Sequence, residues 1–125
     1  MDTSIIREQI IGSGFEVMNT MGIGFLKNVY RNSLAVELRL RGIAVEREKP
    51  LPVFYKGELV GEYRADLIAA QKVLIELKVA DAIADAHIAQ TLNYLRVANL
   101  QDGLILNFGK SNVGIKKVIR SEQQA

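Results

Sequence analysis

Apolar residues in the first third of the chain recur at helical spacing. From Thr3 to about Thr20, Ile6, Ile10, Ser13 and Val17 share one face, which predicts a helix capped by Thr3 or Ser4. Gly12 and Gly14 work against it, since glycine costs up to about 1 kcal/mol inside a helix. "MGIG" marks a break, and a second helix runs from about Phe25 to Arg41, stopping at Gly42. From Ile43 onward the period changes to two. Strands are predicted at Ala44–Tyr55, Glu58–Ile68 and Val73–Val79, joined by "YKGE" and "AAQK" turns. Pro50 and Pro52 confine the first strand to an edge or a bulge, because proline cannot donate to a ladder. A third helix is expected over Ala84–Asn99, then short strands "GLILNF" and "GIKKVI". The order ααβββαββ describes an α/β or α+β domain, a mixed sheet with helices packed on it, spanning residues 1–125.

Charge interrupts this pattern in three places. Asp66 and Glu76 lie inside apolar strand runs, equidistant from Gln71. A turn centred on Gln71 sets the two carboxylates across the ladder on one face, with Cβ atoms about 5 Å apart. Lys78 points to that face, and Leu77 to the other. The repulsion between the acids must be offset by a proton, a cationic side chain or a divalent metal. The alternative is an ordinary ion pair with Lys78 on a solvated face. On the second helix, Glu37 falls in a stripe with Leu26, Tyr30, Ser33 and Leu40, flanked by Leu34 and Leu38. A carboxylate there calls either for a structural partner, Arg64 or Lys78, or for a role in a site. On the third helix His87, Gln90 and Tyr94 border the apolar stripe of Ile88, Leu92 and Leu95 and are placed to line a cleft. For His87, the only histidine, a structural role is the better reading, with substrate contact the other.

Composition adds limits. At 125 residues, 49% apolar and 24% charged, the chain matches one soluble domain. It has no cysteine, which excludes disulfides and thiolate zinc sites. No apolar run is long enough to cross a bilayer and the N-terminus does not resemble a signal peptide, so a cytoplasmic location is expected. The net charge of +2 is too small to argue for nucleic acid by itself, although Lys110, Lys116, Lys117 and Arg120 form a basic strip. That strip either faces phosphates or is a solvated edge. Val113, Ile115 and Val118 are candidate contacts for a homodimer.

"RAD", a turn, "IELK" and then Q-x-x-x-Y on a helix resemble the PD-(D/E)xK nuclease superfamily. More narrowly, the chain from Ile5 to Ile119 resembles the stand-alone GxxExxR proteins, through "VYRNSLAVELRLRGI", "PLPVFYKGELVGEYRADL", "IELKVAD" and "HIAQTLNYL". The resemblance implies a restriction-endonuclease-like core and Mg²⁺- or Mn²⁺-dependent hydrolysis of nucleic-acid phosphodiesters, DNA in the first instance. It implies that Asp66, Glu76 and the Leu77 carbonyl hold the metal. Lys78, Gln90 and Glu37 complete the catalytic set, and His87, Tyr94 and Arg64 contact substrate. Two departures are visible. Ala65 stands where a proline would precede Asp66, and with Gly24 as the motif glycine the acid position holds Lys27, with Tyr30 and Arg31 at its end. A nuclease fold that has lost turnover and binds nucleic acid or a protein partner is the alternative.

Overall fold

The computed structural model describes residues 1–121. Helix α1 spans Thr3–Met21 and buries Ile6, Ile10, Ser13 and Val17 as the spacing predicts. Its cap is Asp2, whose carboxylate accepts the Ile5 N–H at 3.0 Å, rather than Thr3 or Ser4. Gly14 is a close-approach glycine: a Cβ there would lie 2.8 Å from Leu106 Cδ2 on the sheet below.

Helix α2 spans Lys27–Leu40 and buries Tyr30, Leu34, Ala35 and Leu38. Its buried face is therefore rotated from the expected stripe. Leu26 and Leu40, assigned to that stripe, are 76% and 77% exposed, while Ala35, outside it, is fully buried. Tyr30 anchors the helix start. Its ring stacks on Phe108 at 4.8 Å, and its hydroxyl donates to the Gly22 carbonyl at 2.6 Å and accepts the Phe25 N–H at 3.2 Å.

The five strands are β1 (Val45–Tyr55), β2 (Glu58–Ala69), β3 (Val73–Lys78), β4 (Asp102–Asn107) and β5 (Gly114–Ile119), with α3 (Asp85–Ala98) between β3 and β4. They form one mixed sheet in the order β1-β2-β3-β4-β5, antiparallel except for the parallel β3–β4 pair. The helical crossover is what a parallel pair requires. Proline-bearing β1 is at an edge, as expected. The β1–β2 turn has Lys56 at φ 47° and Gly57 at φ 84°, the left-handed pair that matches the twist of a tight hairpin. Helices α1 and α2 cover one face over Leu67, Ile75, Leu77, Leu104 and Leu106. Helix α3 covers the other, with Leu95 over Ile68, Leu74, Ile105 and Val118. This is the expected α+β architecture, compatible with a restriction-endonuclease-like core.

Val113 and Val118 are buried and Ile115 packs against the core, so these residues are not the exposed dimer contacts expected of them. Val113, Ile115 and Val118, in and just before β5, pack into the cores on both faces of the sheet. Of the basic strip, Lys116 and Lys117 are exposed, but Arg120 is 4% exposed and donates to the Leu100 carbonyl and Asn99 Oδ1. No helix among the described residues is long and apolar enough to cross a membrane.

The C-terminal end of β3 is clamped from β4. The Asn107 side chain accepts the Ala80 and Gly109 N–H groups and donates to the Ala80 carbonyl, and Phe108 N–H donates to the Lys78 carbonyl. A Cβ on Gly109 would overlap the Ala80 backbone. Gly109→Ala is therefore expected to destabilise the fold by about 1–3 kcal/mol, the cost of forced overpacking, read as a lower urea midpoint.

Candidate active site

The hairpin register is the one read from the turn. Ala69 pairs with Val73, Ile68 with Leu74 and Leu67 with Ile75, and Ala70 and Gln71 take positive φ between the strands. The ladder ends there. One step further, the side chains of Asp66 and Glu76 replace backbone acceptors. Glu76 Oε2 accepts the Asp66 N–H at 2.8 Å, and Asp66 Oδ2 accepts the Leu77 N–H at 2.9 Å. Each acid thus holds an amide at the strand gap and is fixed by it.

Both acids are buried, Asp66 at 6% and Glu76 at 3% exposure, which overturns the reading of a solvated surface pair. Burial and the neighbouring Asp66 charge push the Glu76 carboxyl up to about 7, against the opposing pull of the Asp66 N–H, Lys27 and Lys78. At neutral pH Glu76 is therefore poised between its charged and neutral forms.

Lys78 extends from the end of β3 and its Nζ donates to Gln90 Oε1 on α3 at 3.0 Å. Two members of the expected catalytic set, on different elements, are thus brought into contact. Tyr94, one turn beyond Gln90, stacks on Tyr63 at 4.8 Å. Its hydroxyl is held protonated to higher pH by burial first, then by the charges of Glu76 and Asp66. His87 is spent locally: its Nδ1 accepts the Ala84 N–H at 3.0 Å at the start of α3.

Glu37 and Arg64 are not drawn in by any ion pair or hydrogen bond. Glu37 Oε2 pairs with Arg41 Nε at 2.9 Å, and Arg41 also reaches Gln9 on α1. Neither Arg64 nor Lys78 is its partner. Because the buried face of α2 is rotated, Glu37 lines a cleft of about 240 Å³ between α1 and α2, beside Glu16 and Ser33. Arg64 is more than half exposed and pairs with Glu62 at 3.3 Å. No group of three or more His, Cys, Asp or Glu side chains is gathered among the described residues, so Glu37 does not join the two hairpin acids.

Two features escaped the sequence reading. Lys27, the first residue of α2, brings its Nζ to 3.0 Å from Asp66 Oδ2. One turn later Arg31 pairs with Glu48 at 3.7 Å. Glu48 falls in the gap between the Arg47–Leu67 and Lys49–Ala65 pairs, as Asp66 does on β2, and takes φ 50°, a left-handed conformation that costs a non-glycine residue free energy. Here the faces of β2 also switch. Ala65 and Ile68 pack under α3, whereas Leu67 and Ala69 pack under α1 and α2. Strict alternation would place Ala65 with Leu67. The only advance signal was the i, i+4 spacing of Lys27 and Arg31 on α2.

A family model described as the PD-(D/E)XK nuclease superfamily matches residues 4–118. No curated protein and no solved structure matches the chain.

Proposed function

The chain belongs to the PD-(D/E)XK nuclease superfamily, and on that premise we propose that it hydrolyses nucleic-acid phosphodiester bonds, DNA in the first instance, with a divalent cation held at Asp66 and Glu76. Within the superfamily, our reading places it with the GxxExxR proteins, on the stretches that resemble them. The single observation that carries the reading is the buried convergence of two carboxylates at the end of the β2–β3 ladder.

The donor set fits a hard cation such as Mg²⁺ or Mn²⁺. Each acid uses one oxygen for a backbone amide, and among the described residues neither Asp66 Oδ1 nor Glu76 Oε1 receives a hydrogen bond. A strand residue directs its N–H and C=O to the same side, so the Leu77 carbonyl lies towards the gap where its amide meets Asp66. The chemistry that such an ion supplies is polarisation of a phosphate oxygen and a lowered pKa for water.

The protein's own groups supply the rest. Asp66 and Glu76 would hold the ion, kept in place by their amide contacts. Lys78, steadied by Gln90, offers an ammonium to the negative charge that grows on the phosphate. Tyr94 on its Tyr63 stack walls the site on the α3 side and presents an aromatic surface to substrate. His87 contacts substrate only through the ring edge left free by its Nδ1 bond. Glu37 and Arg64 serve only if the substrate extends to the α1–α2 cleft or along the outer hairpin.

The test is cleavage of plasmid, linear duplex, single-stranded DNA and RNA with Mg²⁺, Mn²⁺ or chelator. Metal-dependent cleavage that disappears in Asp66→Asn is the expected result. Cleavage equal in wild type and Asp66→Asn would remove the assignment.

A second reading has one observation in its favour: the Lys27–Asp66 pair already supplies a positive charge at the acids. In that reading the fold binds nucleic acid or a protein partner without turnover. It expects salt-sensitive DNA binding with no metal-dependent cleavage.

A further inference from the structure

The geometry points to Lys27 as a built-in counter-cation that competes with a divalent ion for the Asp66–Glu76 pair. The inference rests on the proposed metal role of these acids and concerns how readily that site fills.

Asp66 Oδ2 is shared by the Leu77 N–H at 2.9 Å and the Lys27 ammonium at 3.0 Å. The acids therefore already have one cation at contact distance before any metal arrives, with Lys78 as a second on the same strand. With both acids ionised and both lysines present, the formal charge of this group is zero. A dication entering it gains the carboxylates and meets the Lys27 ammonium at close range. Like charges a few ångströms apart near a protein surface repel by several kcal/mol at most, less where water screens them.

Lys27 is placed for this by the fold rather than by chance. It is the first residue of α2, and Tyr30 ties the preceding loop through Gly22 and Phe25 while stacked in the core. These contacts hold the helix start, while the Lys27 side chain is 42% exposed and the Asp66 side chain only 8%. The ammonium can therefore withdraw into solvent without disturbing the core, whereas Asp66 cannot move away. The result is a metal site whose affinity is set by the cost of displacing one mobile cation.

The experiment is Mn²⁺ titration at fixed pH and low salt, followed by the electron paramagnetic resonance of free Mn²⁺ and by thermal shift, with folding checked by circular dichroism. Wild type, Lys27→Gln, Lys27→Arg and Lys27→Gln/Glu76→Gln are compared. The expected result is that Lys27→Gln binds Mn²⁺ at least about tenfold more tightly than wild type. Lys27→Arg keeps the charge and should stay near wild type, and the double variant should lose the gain. Equal or weaker Mn²⁺ binding in Lys27→Gln would overturn the competition and leave the metal role of the acids standing. No Mn²⁺ binding in either wild type or Lys27→Gln would overturn both. A gain that survives Glu76→Gln would place the ion elsewhere and also defeat the inference.

Discussion

Lys78→Met is expected to lower Mg²⁺- or Mn²⁺-dependent cleavage by on the order of 100-fold or more while leaving Mn²⁺ affinity within a few-fold of wild type. Asp66→Asn is expected to lose both. The contrast follows from position. In the proposed site Asp66 would offer the ion an oxygen from a buried, amide-locked carboxylate, whereas the Lys78 ammonium lies at the end of β3 beside Gln90. A group that acts on developing charge matters more to the transition state than to metal binding. Gln90→Ala should lose less cleavage than either, because it steadies Lys78 and carries no charge of its own. Single-turnover cleavage beside metal titration separates the cases. Equal loss of metal affinity in Lys78→Met and Asp66→Asn would mean that Lys78 holds up the site rather than acting on substrate.

Glu76→Gln is expected to stabilise the metal-free protein at alkaline pH and to change it little under acid conditions. Burial and the Asp66 charge raise the Glu76 carboxyl from the ordinary 4.5 to about 7 in the folded protein. Below about pH 4.5 both folded and unfolded chains hold the proton, and Glu76 adds no pH dependence. Between there and about pH 7 the unfolded chain releases it and the folded protein retains it, so stability falls as pH rises. Above about pH 7 the loss levels off, at on the order of 3 kcal/mol. A glutamine at this position stays neutral and can still accept the Asp66 N–H. Chemical denaturation at pH 5 and pH 8, in chelator, should show the wild type losing ground to the variant only at the higher pH. Mn²⁺ should reverse the order at pH 8, since it favours the ionised carboxylate that only the wild type has. A constant difference between the two proteins at both pH values would refute the raised Glu76 carboxyl.

The hairpin site was legible because its determinants are local. The turn centred on Gln71, the apolar runs on either side and the placement of the acids specify a register in which one slip would invert every side chain. The Lys78–Gln90 contact was not read from the sequence; it forms because the helix that follows β3 crosses back over the sheet, bringing its early turns above that strand. Glu37 was misjudged because a helical wheel gives the relative angles of side chains but not the direction in which the helix docks. Leu26 and Leu40 drew the expected stripe towards Glu37, while packing selected the side with Leu34, Ala35 and Leu38. Val113 and Val118 were misjudged likewise, since an edge strand read alone does not reveal that both faces of its sheet are covered.

What the sequence by itself determined is the order of elements, the register of β2 on β3 and the pairing of Asp66 with Glu76, because each depends on periodicity and turn chemistry within a few residues. Only the tertiary structure decided the rotation of α2, the retirement of Glu37 into an Arg41 pair and the arrival of Lys27 at Asp66. Those outcomes depend on how a helix face fits a sheet face, an agreement between distant segments that no local pattern encodes.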